Sequence, residues 1–552
     1  MGLYELISML LTIGRVNDKN KKIFMSQINM LVFNKALTHK SYIASPKFNS
    51  KLLKYIGDPI YDACVVDYIE SNLYIVTAES WKTKLKHYLQ INQQIIEYIN
   101  KWDLIKYCRY DPNMYIEYGE SIPDKVIHYT IRAILGAIVK VVTKTETFGT
   151  AYKIVYNIMS HIFNNINIKL DYETIVDPKT RLTDLLRKYT GNEKLNMKHY
   201  YSVVTENLNP DHLPDFQGTT RNYTITVKVP LPNPTSPLKE IITQSGHNVS
   251  RLENDTSQKA INILNKMGIK HIPFVVNEQL IHPIIPRTDV ETEDGFHSMI
   301  RKQLLLVMNQ KHVDIVTNPT YMNLFIMAFT HKSKSYRYSY EKLEFYGDTI
   351  VNLTMANVIQ RKIPQVINSK YITRIKQNLY STASLSSIAK KLGFDRYILA
   401  DTKITDNIIE DVFESFFGAL AKILTINYGN GVSVGVCQEL MYKYTEKIPI
   451  SLNYYEMYGP KSILKEIYDK QNWKPFDDNV FKVYYDKTRE IWVGYAGAYL
   501  LGYGVKPQNL MTIVTLQRDT EKEAIHDTAM MAINYLGTTY NIFADIPSPY
   551  VT

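Results

Sequence analysis

The 552-residue sequence predicts a multidomain α+β protein with two all-helical domains, each followed by an α-β-β-β-α domain. Three observations predict it. The chain repeats itself, in order and at nearly constant spacing. The first part of each repeat carries apolar residues at helical period. The second part of each opens and closes on amphipathic helices, with short alternating β-rich runs between them.

The repeat comes first because it changes every later step. Residues 36–41 read ALTHKS and 328–333 read AFTHKS; 55–58 read YIGD and 345–348 read FYGD; 178–182 read PKTRL and 460–464 read PKSIL. Thr38 and Thr330 lie 292 apart, Asp58 and Asp348 290, and Pro178 and Pro460 282. Gly136 in ILGAIVK and Gly418 in FFGALAK are also 282 apart, and KAINIL (259–264) matches MAINYL (531–536). Five ordered matches at slowly drifting spacing indicate a duplication, not unrelated domains that share short words.

The helical parts are expected at 1–165 and 296–450, where IVNLTMANVI and IIEDVFESFFGALAKIL show the clearest helical period. The mixed parts are expected at 175–270 and 458–540. Each starts with an amphipathic helix (TRLTDLLRKY; SILKEIYDKQ), continues through RNYTITVKV or NVFKVYYD and REIWVGYAGAYL, and ends in a helix. The Pro- and Asn-rich stretch 207–237 reads as an extended loop, and 271–295, with three prolines and no helical period, as the linker between repeats.

Composition bounds the class. Hydrophobic residues make up 45% and charged residues 21%, which suits a globular chain and excludes a disordered one. No apolar run reaches membrane-spanning length, and MGLYELISMLLTIG lacks a basic start, so an intracellular, cytoplasmic protein without a membrane partner is expected. Cys64, Cys108 and Cys437 lack the spacing of a disulfide framework or a zinc site. The net charge of +10 permits a polyanionic partner without establishing one. The 43 tyrosines, with abundant Ile, Asn and Lys, read as A/T-rich coding bias of the kind found in some large DNA viruses and parasites.

The chemistry-bearing residues lie in the second repeat. In EKLEFYGD, Glu341, Glu344 and Asp348 fall at i, i+3 and i+7 on one helical face; in EDVFESFFG, Asp411 and Glu414 fall at i and i+3. Leu343, Phe345, Val412, Phe413 and Phe416 lie between them. Carboxylates at the edge of so apolar a face are costly unless something positive compensates, and a hard cation with oxygen ligands is one solution. Taken singly, each acid reads more readily as a surface residue of an amphipathic helix; only the combination points to a site.

AFTHKS, then EKLEFYGD, then EDVFESFFGAL, in this order and at this spacing, resembles the ribonuclease III family. The second part of each repeat is similar to the double-stranded RNA-binding domain that usually follows the family's nuclease domain. The resemblance covers nearly the whole chain and implies an endoribonuclease that hydrolyses double-stranded RNA with Mg2+, or Mn2+ as its substitute. It implies that Glu344, Asp411 and Glu414 bind the metal, and that Asp348 completes the cluster and is catalytic together with Glu414. Glu341, matching the first Glu of the signature, is a second-rank candidate, and His331 supports the core or a dimer surface. Phosphodiester hydrolysis needs an activated water and stabilised charge on phosphate oxygens, both of which carboxylate-held magnesium supplies. In one departure, Ser369 stands where family members often carry a further Glu, which bears on a second metal's surroundings.

The first repeat has lost its acids. Lys51 stands opposite Glu341, Lys54 opposite Glu344, Tyr129 opposite Asp411 and Arg132 opposite Glu414; only Asp58 survives. Lysine and arginine cannot ligate Mg2+, so this domain is expected to be catalytically dead. Its basic residues either pair with Asp58 or touch phosphate, and the internal salt bridge is the preferred reading. Family nuclease domains work as dimers. The duplication therefore allows an internal pair with one working site that nicks one strand, or a homodimer of second repeats that cuts both. In the RNA-binding segments, Arg518 and Lys522 remain but are diluted by Glu521 and Glu523, and Lys259 is the main candidate in the first repeat. These suit weak, salt-dependent contact with RNA or a scaffold role. The rival functional reading is a non-catalytic RNA-binding or scaffold protein that kept the fold; cleavage of structured DNA is a third.

Overall fold

The computed structural model describes residues 2–72, 79–90, 92–113, 122–169, 171–192, 195–207, 221–270, 295–335, 338–366, 368–471, 473, 476–499, 510–544 and 549–550. The expected linker therefore lies outside the described residues, save residue 295. Among the described residues, no helix is long and apolar enough to cross a membrane.

The duplication reappears element by element. The first helical part runs Leu3–Ile13, Asp18–Phe24, Gln27–Ala36, Lys51–Asn72, Glu79–Gln90, Gln93–Asn100, Ile122–Val142 and Phe148–Asn164. The second runs Phe296–Leu304, Gln310–Val316, Pro319–Ala328, Glu341–Lys362, Ser369–Leu379, Thr382–Lys391, Asp406–Tyr428 and Asn430–Thr445. A 3-10 turn falls at the same point of each, Leu104–Tyr107 and Phe394–Tyr397. An isolated parallel bridge also recurs, Thr38 with Arg109 and Thr330 with Leu399.

Two antiparallel sheets follow the same plan. β1 (Tyr201–Asn207), β2 (Arg221–Pro230) and β3 (Leu238–Gly246) form the first, between helices Pro178–Thr190 and Val249–Lys266. Leu182, Leu186, Ile225, Val227, Ala260 and Leu264 fill its core. β4 (Phe481–Asp486), β5 (Ile491–Ala498) and β6 (Met511–Arg518) form the second, between Pro460–Lys470 and Glu521–Tyr540. The loop expected at 207–237 is thus too long. Ile225, Val227 and Val229 alternate into the core, and that period of two outweighs the surrounding prolines and asparagines. Residues 208–220 lie outside the described residues.

The chain divides into two compact units. One holds Met1–Val358 with Leu385–Thr445, and the other Ile359–Ser384 with Glu446–Thr552. Residues 359–384, which the repeat groups with the second helical part, belong to the unit of the C-terminal sheet. In the first unit, helix Phe148–Asn164 packs against Asn430–Thr445. Gly149 and Gly431 meet there, backbone on backbone. They are 282 apart, the separation of Gly136 and Gly418. A residue that touches its own counterpart marks a local two-fold axis, so the helical repeats pack on each other as two copies would.

A Cβ on Gly149 would lie 2.2 Å from the Gly431 carbonyl oxygen. Alanine favours the helix by roughly 0.5–1 kcal/mol over glycine, yet here it would force the helices apart. Gly149→Ala should therefore lower stability by about 1–3 kcal/mol, read as a lower unfolding midpoint. A midpoint at or above that of the parent would show that the helices are not in backbone contact.

Candidate active site

Two long helices build the site in each repeat, and glycines set how they cross. Helix Asp406–Tyr428 starts where the Thr405 hydroxyl accepts the Ile408 N–H, and it ends at Gly429, whose φ of 82° few other residues adopt. Val412, Phe413, Phe416 and Leu420 are fully buried along it. It crosses helix Glu341–Lys362 so closely that a Cβ on Gly347 would lie 1.9 Å from the Glu414 carbonyl oxygen. One on Gly418 would lie 2.2 Å from the Leu343 carbonyl oxygen. The crossing in the first repeat is the same: a Cβ on Gly57 would lie 1.8 Å from the Arg132 carbonyl oxygen and one on Gly136 2.0 Å from that of Leu53. These contacts pair Arg132 with Glu414 and, three residues before each glycine of the first helices, Lys54 with Glu344. That is the correspondence read from the sequence.

In the second repeat this crossing is acidic. Asp348 follows Gly347, Glu344 precedes it by three residues, and Glu414, only 7% exposed, lies across from it. The Tyr340 hydroxyl donates to Asp411 Oδ2 at 2.8 Å, and Ser415 Oγ donates to the Tyr340 carbonyl at 3.1 Å. Lys332 Nζ pairs with Glu341 at 2.7 Å. Burial pushes the Asp411 carboxyl above the ordinary range; Tyr340 opposes this, Glu341 adds to it, and His331 and Lys332 oppose it. The bond to Glu341 raises the Lys332 ammonium, helped by the charges of Glu341, Glu344 and Asp411. Burial raises the Tyr340 phenol, with Asp411, Glu344 and Glu341 adding to it. Glu341, Glu344 and Asp411 therefore share one electrostatic neighbourhood.

As donors these groups fit a hard divalent cation, since all are carboxylate oxygens and at least one is destabilised by burial. They do not stand as a closed cage: among the described residues, no three His, Cys, Asp or Glu side chains converge enough to hold an ion. Like charges repel, and Tyr340 and Lys332 hold Asp411 and Glu341 in their own bonds. Ser369, the departure from the family pattern, opens helix Ser369–Leu379 in the other unit.

In the first repeat the same crossing is filled by its own cations. Lys54 Nζ lies 2.6 Å from Asp58 Oδ2, and Arg132 Nε lies 3.7 Å from Asp58 Oδ1. Lys54 also stands over the Tyr129 ring and Arg132 over that of Tyr61. Of the two roles open to these basic residues, the structure displays the internal salt bridge.

The RNA-binding candidates are spread out. Lys259 and Lys522 are exposed. Arg518 is engaged: its Nε donates to Asp527 at 2.5 Å and a terminal nitrogen to the Gln517 carbonyl at 2.8 Å. Sequence reasoning missed Lys332 and Tyr340. Lys332 lies inside the repeated THKS word, where only His331 drew notice. Tyr340 stands opposite Ser50, so the exchange of serine for a phenol beside the acids was the available signal.

A family model described as Ribonuclease-III-like matches residues 322–425, a span that contains Glu341, Glu344, Asp348, Asp411 and Glu414. A protein of Invertebrate iridescent virus 6 named "Putative ribonuclease 3" is 25% identical over 274 residues, 46% of this chain and 91% of that one. Ribonuclease 3 of Lactobacillus acidophilus is 36% identical over 106 residues, 17% of this chain and 46% of that one, so the chain spans under half of this relative. Among solved structures, the nuclease domain of ribonuclease III from Campylobacter jejuni is matched over 97% of its length and 27% of this chain, at 22% identity and a TM-score of 0.21.

The first crossing makes a pH prediction. His128 bonds the Gln90 carbonyl through Nε2 at 2.8 Å and faces Arg132 through Nδ1 at 3.2 Å. Burial, then the charge of Arg132, hold its pKa down to about 4. The unfolded chain takes up this proton near the ordinary histidine value of 6.5 and the folded chain only near 4, so stability falls as pH drops through that window. His128→Gln should flatten this part of the curve of unfolding midpoint against pH. An unchanged slope would show that the imidazole is not held neutral.

Proposed function

We propose, for a chain that belongs to the ribonuclease III family, that the second helical repeat is a Mg2+-dependent endoribonuclease acting on double-stranded RNA. One observation carries this reading. The same glycine-locked crossing is built twice: in the first repeat Lys54 and Arg132 flank the one surviving acid, Asp58, whereas in the second the matching positions are Glu344 and Glu414, with Asp348 and Asp411 beside them. Glu344, Asp411 and Glu414 would hold the ion and Asp348 would complete the acidic cluster. Bound Mg2+ supplies a polarised phosphoryl oxygen and an activated water. The protein's own part is positioning. Tyr340 orients Asp411, Lys332 orients Glu341, and the buried phenylalanines keep water from the back of the carboxylates. Lys332 and Tyr340 also restrain the acids before an ion draws them together.

The first repeat is read as a catalytically silent partner that completes the nuclease pair from within the chain. One acidic crossing per pair implies one cut per duplex, that is, a nick. The two α-β-β-β-α domains are read as RNA-binding modules of low affinity, with Lys259 and Lys522 as phosphate contacts and Arg518 available only after it leaves Asp527. A scaffold that merely kept the fold is the rival reading, favoured by the unconverged acids.

Glu414→Gln should lower cleavage of a long RNA duplex by roughly 100-fold or more, a loss of about 3 kcal/mol in transition-state stabilisation. EDTA should do the same, and Lys54→Met should leave the rate unchanged. A folded parent that leaves the duplex uncut with Mg2+, just as the Glu414→Gln and EDTA-treated proteins do, would establish the scaffold instead. With each strand of one duplex labelled separately, the products on a denaturing gel should be single-strand nicks. Simultaneous cutting of both strands by one chain would exclude the single-site arrangement.

A further inference from the structure

Where the helical repeats meet, a carboxylate of the first is satisfied by the second. Asp67, on helix Lys51–Asn72, is 1% exposed. Its Oδ1 accepts the Tyr346 hydroxyl at 2.5 Å; its Oδ2 accepts the Tyr152 hydroxyl at 2.7 Å and Asn430 Nδ2 at 3.0 Å. One turn later, Glu70 accepts from Lys422 at 3.1 Å and also pairs with Lys82. Tyr346, Asn430 and Lys422 belong to the second repeat.

The backbone contact at Gly149 and Gly431 treats the two repeats alike, but these polar contacts do not. At the spacings of the glycine crossings, Asn357 stands opposite Asp67 and Gln360 opposite Glu70. Ile56 stands opposite Tyr346, Phe148 opposite Asn430 and Lys140 opposite Lys422. If two first repeats paired, Asp67 would face Ile56 and Phe148. A fully buried carboxylate would lose two of its three donors, and removing the partner of a buried charge is strongly destabilising. If two second repeats paired, Lys422 would face Gln360, and both carboxylates would be missing. Lys140 reflects the missing acid: burial and Lys144 hold its ammonium below the ordinary lysine range, whereas Lys422 sits against Glu70.

We propose that Asp67 and Glu70 form a pairing key that selects the first repeat against the second and rejects like-with-like association. Each chain then closes on itself, with one acidic crossing per pair. This rests on reading the helical repeats as a pair and not on their nuclease activity, so the test uses no RNA.

Full-length chains carrying two different tags are co-expressed, and co-purification and sedimentation mass are measured. The parent should sediment as one chain and carry no second tag. The double variant Asp67→Asn/Glu70→Gln installs in the first repeat the residues that the second already has. It should shift at least tenfold towards a two-chain species and co-purify with the other tag. If that variant fails to fold, Tyr346→Phe, which removes a single donor, should show the same shift or a lower unfolding midpoint. A parent that carries the second tag overturns the proposal. So does a folded double variant, or Tyr346→Phe in its place, that stays monomeric at an unchanged midpoint. Loss of cleavage with this result intact would count against the nuclease reading alone.

Discussion

Two helices in backbone contact are the constraint on which the rest depends. At Gly347 and Gly418 the chain approaches itself more closely than any side chain would allow, and Gly57 and Gly136 repeat the contact in the first half. A crossing this tight cannot slide or rotate without collision between carbonyl oxygens and Cβ atoms, because packed interiors leave no slack. It therefore fixes what stands beside it: the residue after the first glycine, the residue three before it, and the residue four before the second. Glycine costs helix stability at all four places. The fold accepts that cost because this geometry is what sets side chains of two distant segments next to each other.

The two crossings then diverge in charge. In the first repeat, Lys54 and Arg132 flank the surviving Asp58, so its charge is met from within the chain. In the second, acids remain on both helices, Asp411 is destabilised by burial, and Lys332 pairs with Glu341. A part-buried patch of acids is relieved either by a cation or by taking up protons, and the raised Asp411 carboxyl shows the strain. The similarity of residues 322–425 to a ribonuclease-III-like domain gives that physical demand its chemical sense. The duplication thus carries two answers to one electrostatic problem: cations of the chain itself in the first crossing, and acids left in the majority at the second.

A similar asymmetry governs the surface between the repeats. Gly149 against Gly431 is indifferent to which copy is which, whereas Asp67 with Tyr346 and Asn430, and Glu70 with Lys422, are directional. Burying a carboxylate contributes little net stability even when it is paired, but the penalty for mispairing is large. Such groups specify partners better than they strengthen them. Tyr152, from the first repeat itself, donates to the same carboxylate and is the one contact that any pairing would keep.

Much was legible in the sequence because it is local or periodic. The duplication, the helices around IVNLTMANVI and EDVFESFFGAL, the order of the sheet domains and the exchange of Glu344 and Glu414 for Lys54 and Arg132 all follow from spacing along the chain. The strand Arg221–Pro230 was legible in the alternation of RNYTITVKV, and only the loop drawn over it at 207–237, from the neighbouring prolines and asparagines, was too wide. Tertiary structure alone decided that Lys332 and Tyr340 restrain the acids, that 359–384 join the C-terminal unit, and that Asp67 is held by a tyrosine 279 residues away. The physical reason is that periodicity records which face of an element is buried. Which partner meets that face is settled by contacts between segments far apart in the chain, and these leave no period to read.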